Sequence, residues 1–556
     1  MNWKAFLGGL GVVAAVAGFF LLATPPRAET ESLLQPPTVD WEAVHDDPDH
    51  RLRISLLVNN SGREGTWVQR QMEERFNVEF DLTFLPAAAH TYRKPLMLAG
   101  GKVPDVFIDP DPIEVQRDAY HGFLLEVPHR IILRHAPNYV AAVNSVEPIG
   151  WLYSHWRGRN YGVPTVYVSL LLSVPGVWRG DWLKAVGLHD PADPSKPRVP
   201  ETLDQMHEAL RRFRHNDPDG NGRQDTYGMS GDVTNWWWAS FADVFGAYGV
   251  TPFDWMERDG RCVWGGLLPE ARQALATLRA WYGEGLIHPD FVTDKSRESL
   301  HRKFLNGRTG YLYYDGKHHE FDLTIPTSLA SKMRQLQPSA ELVCGRFPIG
   351  PGGRRGGRVW SGGHVIVFGK HLAAEPAKVL RVLRILDTVV TDEELYIASK
   401  YGQRGVHWTW RDADLGPGGG IRQLPPYTDR NQQFRALLGE MEGGAILSPC
   451  GPKALLDKYT RREELAFNNE HRRGEWALKD VLGKPDVVPS AAVKLRDVRQ
   501  FQMTVYAEII RGDRPLEDFA WFAREWLRRG GQQMTDEATE LLRAKKRVYR
   551  QVGVTE

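Results

Sequence analysis

Short apolar runs alternate with helical stretches near the start of the chain, and this alternation limits the fold more than any other feature. Residues 52–58 form an apolar run, residues 65–76 are typical of a helix, and residues 78–84 return to strand character. A second helix over 92–99 leads through a glycine turn into a strand at 104–108. Elements of these lengths predict an α/β fold with a mostly parallel sheet and helices on both faces. Ligands of such sheets bind beyond the carboxyl ends of the strands.

Length, charge and cysteine content restrict the class of protein. A chain of 556 residues is too long for one ordinary core and allows two to four domains. Lys and Arg number 70 against 69 Asp and Glu, and the resulting net charge of +1 is too small to attract nucleic acid. The cysteines Cys262, Cys344 and Cys450 contain no C-x-x-C pair, which argues against a disulfide scaffold or a zinc site.

The N-terminal segment indicates export. Lys4 precedes an apolar run from Ala5 to Thr24, and at about 20 residues this run is long enough to span a bilayer. No cysteine lies directly after the run, which excludes a lipoprotein anchor. Cleavage near Ala28 and an uncleaved membrane anchor both remain open. In either case we expect a protein that is periplasmic, or anchored and facing the periplasm or the extracellular side.

The oxygen-bearing residues between 217 and 228 have the spacing of a calcium-binding loop. Such a loop needs ligand side chains at positions 1, 3, 5 and 9, a backbone carbonyl at position 7 and a glycine at position 6. The chain supplies, in this order, Asp217, Asp219, Asn221, Gly222, the carbonyl of Arg223, and Asp225. The spacing predicts one structural Ca²⁺ bound by these residues.

Position 12 of the loop departs from the usual pattern. An EF-hand places a bidentate Glu there, whereas this chain has Gly228. Thr226, water or a distant segment is left to complete the shell. The alternative interpretation is an acidic turn exposed to solvent, because Asp-Pro-Asp-Gly-Asn-Gly is also typical of such turns.

A series of short motifs follows one another along most of the chain. They are Val103–Val106, Ala119–Leu125, Gly162–Pro164, Arg179–Leu183, the loop at 217–228, Leu286–Phe291, Asn306–Gly310, Glu375–Pro376, Asp387, Tyr401–Gly402 and Arg404–Trp408. Each motif is weak alone, but their order is specific. In this order they resemble the bacterial extracellular solute-binding proteins, in particular the large calcium-containing branch that serves oligosaccharide ABC importers.

The resemblance implies a type II periplasmic-binding-protein-like clamp of two lobes, each a mostly parallel sheet flanked by helices. It implies a monomer that binds an oligosaccharide in the cleft, performs no chemistry on it, and has an ABC permease in the inner membrane as partner. The implied segments are a signal peptide or anchor at 1–28, a linker at 29–50, lobe 1 at 51–163, lobe 2 at 164–350, a return to lobe 1 at 351–430, and a mainly helical C-terminal region at 431–556 that packs on the lobes. Relatives often carry an acidic residue where this chain has Thr226.

A sugar-binding cleft needs flat aromatic faces and a few polar side chains. Three consecutive indoles cannot all point into one core, and the resemblance supports an aromatic residue after Tyr401–Gly402. The residues that we expect to bind the sugar are Trp236, Trp237, Trp238, Trp360 and Trp408, with Asn59, Asp109, Asp111 and Arg404 as polar partners. The alternative for each residue alone is an ordinary core or turn position.

Other interpretations remain open at the level of sequence. Arg354, Arg355 and Arg358 could bind an anionic sugar such as a uronate, although a solvated, flexible glycine-rich loop explains them better. A secreted carbohydrate-active enzyme would require two carboxylates that face each other across the scissile bond, and no such pair stands out. A membrane-anchored sugar-sensing subunit is compatible with the apolar N-terminus.

Overall fold

The structure is a computed structural model that describes residues 37–58, 64–85, 87–166, 171–232, 240–294, 296–427 and 451–555. The chain begins with β1 (Leu52–Val58), α1 (Trp67–Phe76), β2 (Val78–Phe84), α2 (Ala87–Ala99) and β3 (Val106–Asp109). These bounds confirm the alternation of strands and helices predicted from the sequence. No helix within the described ranges is long and apolar enough to cross a membrane.

The other elements follow in chain order. The helices are α3 (Pro112–Tyr120), α4 (His129–His135), α5 (Pro137–Val146), α6 (Gly150–Tyr153), α7 (Gly180–Ala185), α8 (Leu203–His215), α9 (Ala242–Ala247), α10 (Pro269–Gly283), α11 (Arg297–Leu305), α12 (Leu329–Leu336), α13 (Ala377–Thr391), α14 (Glu393–Tyr401), α15 (Lys453–Lys458), α16 (Arg462–His471), α17 (Ala491–Arg511), α18 (Phe519–Trp526) and α19 (Gln532–Gln551). The strands are β4 (His155–Trp156), β5 (Arg159–Asn160), β6 (Gly162–Pro164), β7 (Val177–Arg179), β8 (Trp255–Arg258), β9 (Arg261–Trp264), β10 (Tyr311–Leu312), β11 (Leu342–Cys344), β12 (Gly357–Arg358), β13 (Val365–Phe368), β14 (Trp408–Trp410), β15 (Ile421–Gln423) and β16 (Ala477–Leu478).

Lobe 1 is built on a five-stranded sheet with the order β2-β1-β3-β13-β6. β1 pairs in parallel with β2 and β3, whereas β13 runs antiparallel between β3 and β6. β13 follows the segment of lobe 2 in the sequence. The sheet of lobe 1 is therefore formed by residues from both before and after lobe 2. Helix α1 begins at Thr66, whose hydroxyl oxygen accepts a hydrogen bond from Gln69 N at 3.2 Å, and ends at Asn77 with φ 50°.

Lobe 2 contains a smaller antiparallel sheet with the order β10-β7-β11. The expectation of a mostly parallel sheet in each lobe is therefore wrong for the part of lobe 2 that the structure describes. The apolar runs that predict strands carry no information about direction. Direction is set by long-range partners, such as Trp178 opposite Tyr311, which periodicity along the chain does not reveal.

The segment that follows β6 and the segment that precedes β13 both run between the lobes, and they lie side by side. Thr165 N donates to the His364 carbonyl at 2.8 Å, and His364 N donates to Thr165 Oγ1 at 2.9 Å. A Cβ atom on Gly363 would lie 2.1 Å from the Thr165 carbonyl oxygen. Glycine at this position therefore permits the close approach of the two segments.

The C-terminal helices pack on both lobes. Helix α17 contacts α10, and α19 contacts β9 in lobe 2 and α6 in lobe 1. The Trp264 ring lies 5.0 Å from Trp255 and 5.3 Å from Trp526, and its indole N–H donates to Gln502 Oε1 at 2.7 Å. The domain boundaries expected from the sequence stay a prediction.

Candidate functional site

Asp109 lies at the carboxyl end of β3 within a buried ion network. The Lys94 ammonium group contacts Asp109, and it lies 2.6 Å from Glu114 Oε2 and 3.0 Å from Asp118 Oδ2. The side chains of Lys94 and Asp109 are both fully buried. Burial raises the pKa of Asp109 to about 7, although the positive charge of Lys94 opposes this shift. Asp109 is enclosed in this conformation, and its contact with a ligand stays a prediction.

Asp111 lies two residues further on and is accessible to solvent. It is the N-cap of α3, where its Oδ1 accepts a hydrogen bond from Ile113 N at 2.9 Å. Its Oδ2 lies 3.9 Å from the Lys484 ammonium group, and 32% of the Asp111 side chain is exposed. Burial raises the pKa of Asp111, and Lys484 opposes the shift. The C-terminal region thus contributes a charge near the carboxyl end of β3 in lobe 1.

Trp360 lies on the segment that connects β12 in lobe 2 with β13 in lobe 1. The Arg358 guanidinium group lies 4.5 Å from the centre of the Trp360 ring. Arg358 is buried and donates from Nε and Nη2 to the two carboxylate oxygens of Asp254, each at 2.7 Å. Because this bidentate pair fixes Arg358, it also holds the half-buried Trp360 ring in place between the lobes.

Tyr314 and three basic residues lie on the lobe 2 side of the segment that carries Trp360. No sequence motif indicates these four residues as part of a site. Arg297 Cζ lies 5.8 Å and Lys317 Nζ lies 5.2 Å from the centre of the Tyr314 ring. Burial raises the pKa of Tyr314, and the nearby charges of Arg358, Arg297 and Arg472 oppose the shift. The backbone of Tyr314 has φ 67°, a region that residues with side chains rarely adopt and that is enriched at functional sites. We name Arg297, Lys317 and Arg472 the cation cluster.

Trp408 and Arg404 line a pocket of about 570 Å³ along α14 in lobe 1. The Trp408 side chain is 4% exposed, and its indole N–H donates to the Gly402 carbonyl at 2.9 Å. Trp410 lies 4.8 Å from the Trp408 ring and 5.4 Å from the Arg404 guanidinium carbon. Trp408 therefore belongs to the core of lobe 1, and contact of its remaining edge with a ligand stays a prediction.

The predicted calcium loop forms a tight turn after α8. Asp217 has φ 45° and accepts hydrogen bonds from Gly222 N at 2.8 Å and Asn221 N at 3.1 Å. The Asn221 amide nitrogen donates to Asp219 Oδ2 at 2.9 Å and to Asp225 Oδ1 at 3.2 Å. A donor group thus occupies the space between two carboxylates that the spacing assigns to one cation.

The donor chemistry of this loop fits Ca²⁺, because carboxylate, amide and backbone oxygens are the ligands that this ion prefers. Burial and the neighbouring Asp217 raise the pKa of Asp219, so a cation there would relieve repulsion. However, within the described ranges no three acidic, His or Cys side chains converge to form a metal site. Arg308 instead contacts Asp225 at 2.7 Å. The ligand types are present, whereas their side chains do not close around one point.

The remaining expected residues do not form part of a described site. The Thr226 hydroxyl donates to the Phe213 carbonyl at 2.6 Å, so it does not point towards the acidic side chains of the loop. Arg354 is exposed while Arg358 is buried against Asp254, and these arginines do not form one cluster. The positions outside the described residues are Asn59, Trp236, Trp237 and Trp238.

Comparison with known proteins supports the resemblance seen in the motifs. The family model for the bacterial extracellular solute-binding protein matches residues 60–332. The polygalacturonan/rhamnogalacturonan-binding protein YtcQ of Bacillus subtilis is 26% identical over 371 residues, which cover 65% of this chain and 68% of YtcQ.

Solved structures match over almost the whole chain. An HMO-binding, ABC-transporter-associated solute-binding protein from Bifidobacterium longum infantis has a TM-score of 0.62 at 16% identity, covering 89% of this chain and 99% of that one. The EF-hand mutant of the Streptococcus pneumoniae ABC-transporter substrate-binding protein FusA has a TM-score of 0.55 at 15% identity, covering 89% and 99%. These likenesses confirm the two-lobe, type II fold. Residues 60–332 of the chain belong to the bacterial extracellular solute-binding protein family.

Proposed function

We propose that this protein captures an oligosaccharide between its two lobes and delivers it to the permease of an ABC importer. The observation that carries the proposal is the position of Trp360, held by the Arg358–Asp254 pair on a segment that runs between the lobes. An indole at this position packs against the C–H face of a sugar, and closure of the lobes excludes water from the contact. The name of the relative YtcQ supports a ligand derived from a polysaccharide.

The proposal includes a structural Ca²⁺ bound by Asp217, Asp219, Asn221, the Arg223 carbonyl and Asp225. The ion would offset the repulsion between the three carboxylates and fix the turn after α8. The far end of the loop is tied to lobe 2, because Tyr227 N donates to the Arg308 carbonyl at 2.9 Å and Gly228 N donates to the Leu286 carbonyl at 2.9 Å. The site therefore stabilises lobe 2 rather than contacting the sugar.

Small-angle scattering with a library of oligosaccharides tests capture. We expect at least one oligosaccharide to reduce the radius of gyration of the purified protein, because both lobes close on it. Chromatography of the same mixtures should recover the oligosaccharide unchanged. New reducing ends would show that the protein hydrolyses the oligosaccharide, and this would contradict the proposal. The proposal would also fail if no oligosaccharide changed both the radius of gyration and the thermal stability.

The Trp360→Ala variant should bind such an oligosaccharide more weakly by about 1–2 kcal/mol, since it loses one aromatic contact with the sugar. Isothermal titration calorimetry measures the change. The control is Trp521→Ala, which removes a ring that is 39% exposed on α18. Equal affinity of the wild type and the Trp360 variant would remove Trp360 from the ligand site.

A further inference from the structure

The cation cluster contains more positive charge than its surroundings neutralise. Lys317 Nζ lies over the Tyr314 ring, and among the residues that the structure describes no carboxylate oxygen lies within 4.0 Å of it. The nearest acidic influence is Glu320, but this carboxylate accepts a hydrogen bond from Leu329 N at 2.8 Å and lies 3.4 Å from His319 Nε2. Lys317 is half-buried without an ion-pair partner in that part of the chain.

The two arginines of the cluster are oriented by other contacts. Arg472 donates to the carbonyls of Ser173 at 3.1 Å and Leu172 at 3.2 Å, and it has no ion pair within the described ranges. Arg297 contacts the buried Asp315 carboxylate, which also lies 2.9 Å from His301 Nε2. Asp315 thus contacts one member of the cluster, while Lys317 and Arg472 have no ion pair with a carboxylate in the described part of the chain. An arrangement of this kind costs free energy unless an anion completes it.

The position of the cluster connects it to the ligand cleft. Arg472 is bonded to the segment that leaves lobe 1 after β6, and Tyr314 lies near Arg358 on the segment that returns to it. The Gly316 amide also donates to the Pro175 carbonyl of the first segment at 2.9 Å. The cluster thus lies beside the segments that join the lobes, one of which carries Trp360.

We infer that Arg297, Lys317 and Arg472, which lie beside Tyr314, bind a carboxylate group of an acidic oligosaccharide. The inference rests on the proposed function and adds the class of its ligand, a uronate-containing sugar. Guanidinium groups match the geometry of a carboxylate, and the Lys317 ammonium group adds a charge that is not committed to another acid. Burial and the charges of Arg297 and Arg472 lower the pKa of Lys317 to about 8, as expected for a cation that lacks an anion.

Calorimetry of the purified protein with trigalacturonate, its methyl ester and neutral galactotriose tests the inference. We expect trigalacturonate to bind at least tenfold more tightly than the other two, with an affinity that falls as salt rises. Lys317→Met should remove most of this preference, and Lys317→Arg should retain it. The control is Lys196→Met, which removes the same charge from an exposed pair with Asp193 in lobe 2.

The outcomes separate the inference from the proposed function. Binding of galactotriose with compaction but without a preference for trigalacturonate would overturn the carboxylate site and leave capture intact. If Lys317→Met lowered the affinity for all three ligands equally, Lys317 would be a general sugar contact, and the carboxylate site would again be overturned. If a sulfated galactose oligomer bound more tightly than trigalacturonate, the inference of a carboxylate ligand would be wrong and the bound group would be a sulfate ester. If no oligosaccharide of any kind causes compaction, the proposed function itself fails.

Discussion

Lys94→Met is expected to lower the free energy of unfolding by about 3–5 kcal/mol, the largest effect that the structure predicts. The ammonium group is fully buried and contacts Asp109, Glu114 and Asp118. Removing it leaves the fully buried Asp109 carboxylate without its counter-charge, whereas Glu114 and Asp118 keep Arg117 as a partner. Urea denaturation at neutral pH, followed by tryptophan fluorescence, measures the change.

The control for this prediction is Lys453→Met. Lys453 is 63% exposed and pairs with Asp457 on the surface of α15, so its loss should cost less than about 1 kcal/mol. Adding Asp109→Asn to Lys94→Met should recover part of the lost stability, because it removes one uncompensated charge. A loss below 1 kcal/mol in Lys94→Met would show that the network does not stabilise lobe 1.

Chelation of calcium is expected to lower the free energy of unfolding by about 2.7 kcal/mol relative to protein in calcium at 100 times its Kd. In the proposed calcium site the ion would bind the folded loop between α8 and Tyr227, and it would have no comparable site in the unfolded chain. Affinity for the oligosaccharide at low temperature should remain, because the loop is tied to the interior of lobe 2. Thermal unfolding with and without chelator, together with calorimetry, measures both quantities.

Asp219→Asn should abolish the effect of calcium, while Asp193→Asn, in an exposed turn of the same lobe, should leave it unchanged. Arg308→Gln should strengthen calcium binding, because Arg308 contacts Asp225 and competes with the ion. Identical unfolding curves with and without chelator would rule out the calcium site. Parallel loss of stability and sugar affinity would instead place the ion in contact with the ligand.

The sequence predicted the first half of lobe 1 closely because local signals determine it. The run at 52–58 and the helix that follows it have apolar periodicity and caps that act over a few residues. The antiparallel sheet of lobe 2 was not predictable in this way, since β7, β10 and β11 are short and pair across long distances in the chain. The loop at 217–228 was found by its spacing, but spacing does not fix where its side chains point.

The same distinction applies to the ligand site. Asp109 ends β3 and Asp111 lies two residues later, yet Asp109 is enclosed by Lys94 from α2 whereas Asp111, near Lys484 of the C-terminal region, is accessible to solvent. Arg297, Lys317 and Arg472 come from separate parts of the chain, and no motif joins them. The left-handed backbone at Tyr314, which lies next to Arg297 and Lys317, is not visible in the sequence.

The contact of Gly363 with Thr165 has a consequence for how the protein moves. The segment after β6 and the segment before β13 are hydrogen-bonded to each other, so we expect them to bend together. Sliding one segment along the other would break both hydrogen bonds between Thr165 and His364. Closure should therefore be a rotation about one axis that passes near Thr165 and His364. A single inter-lobe distance, measured between spin labels placed away from this axis, would then describe the whole path from the open to the closed form.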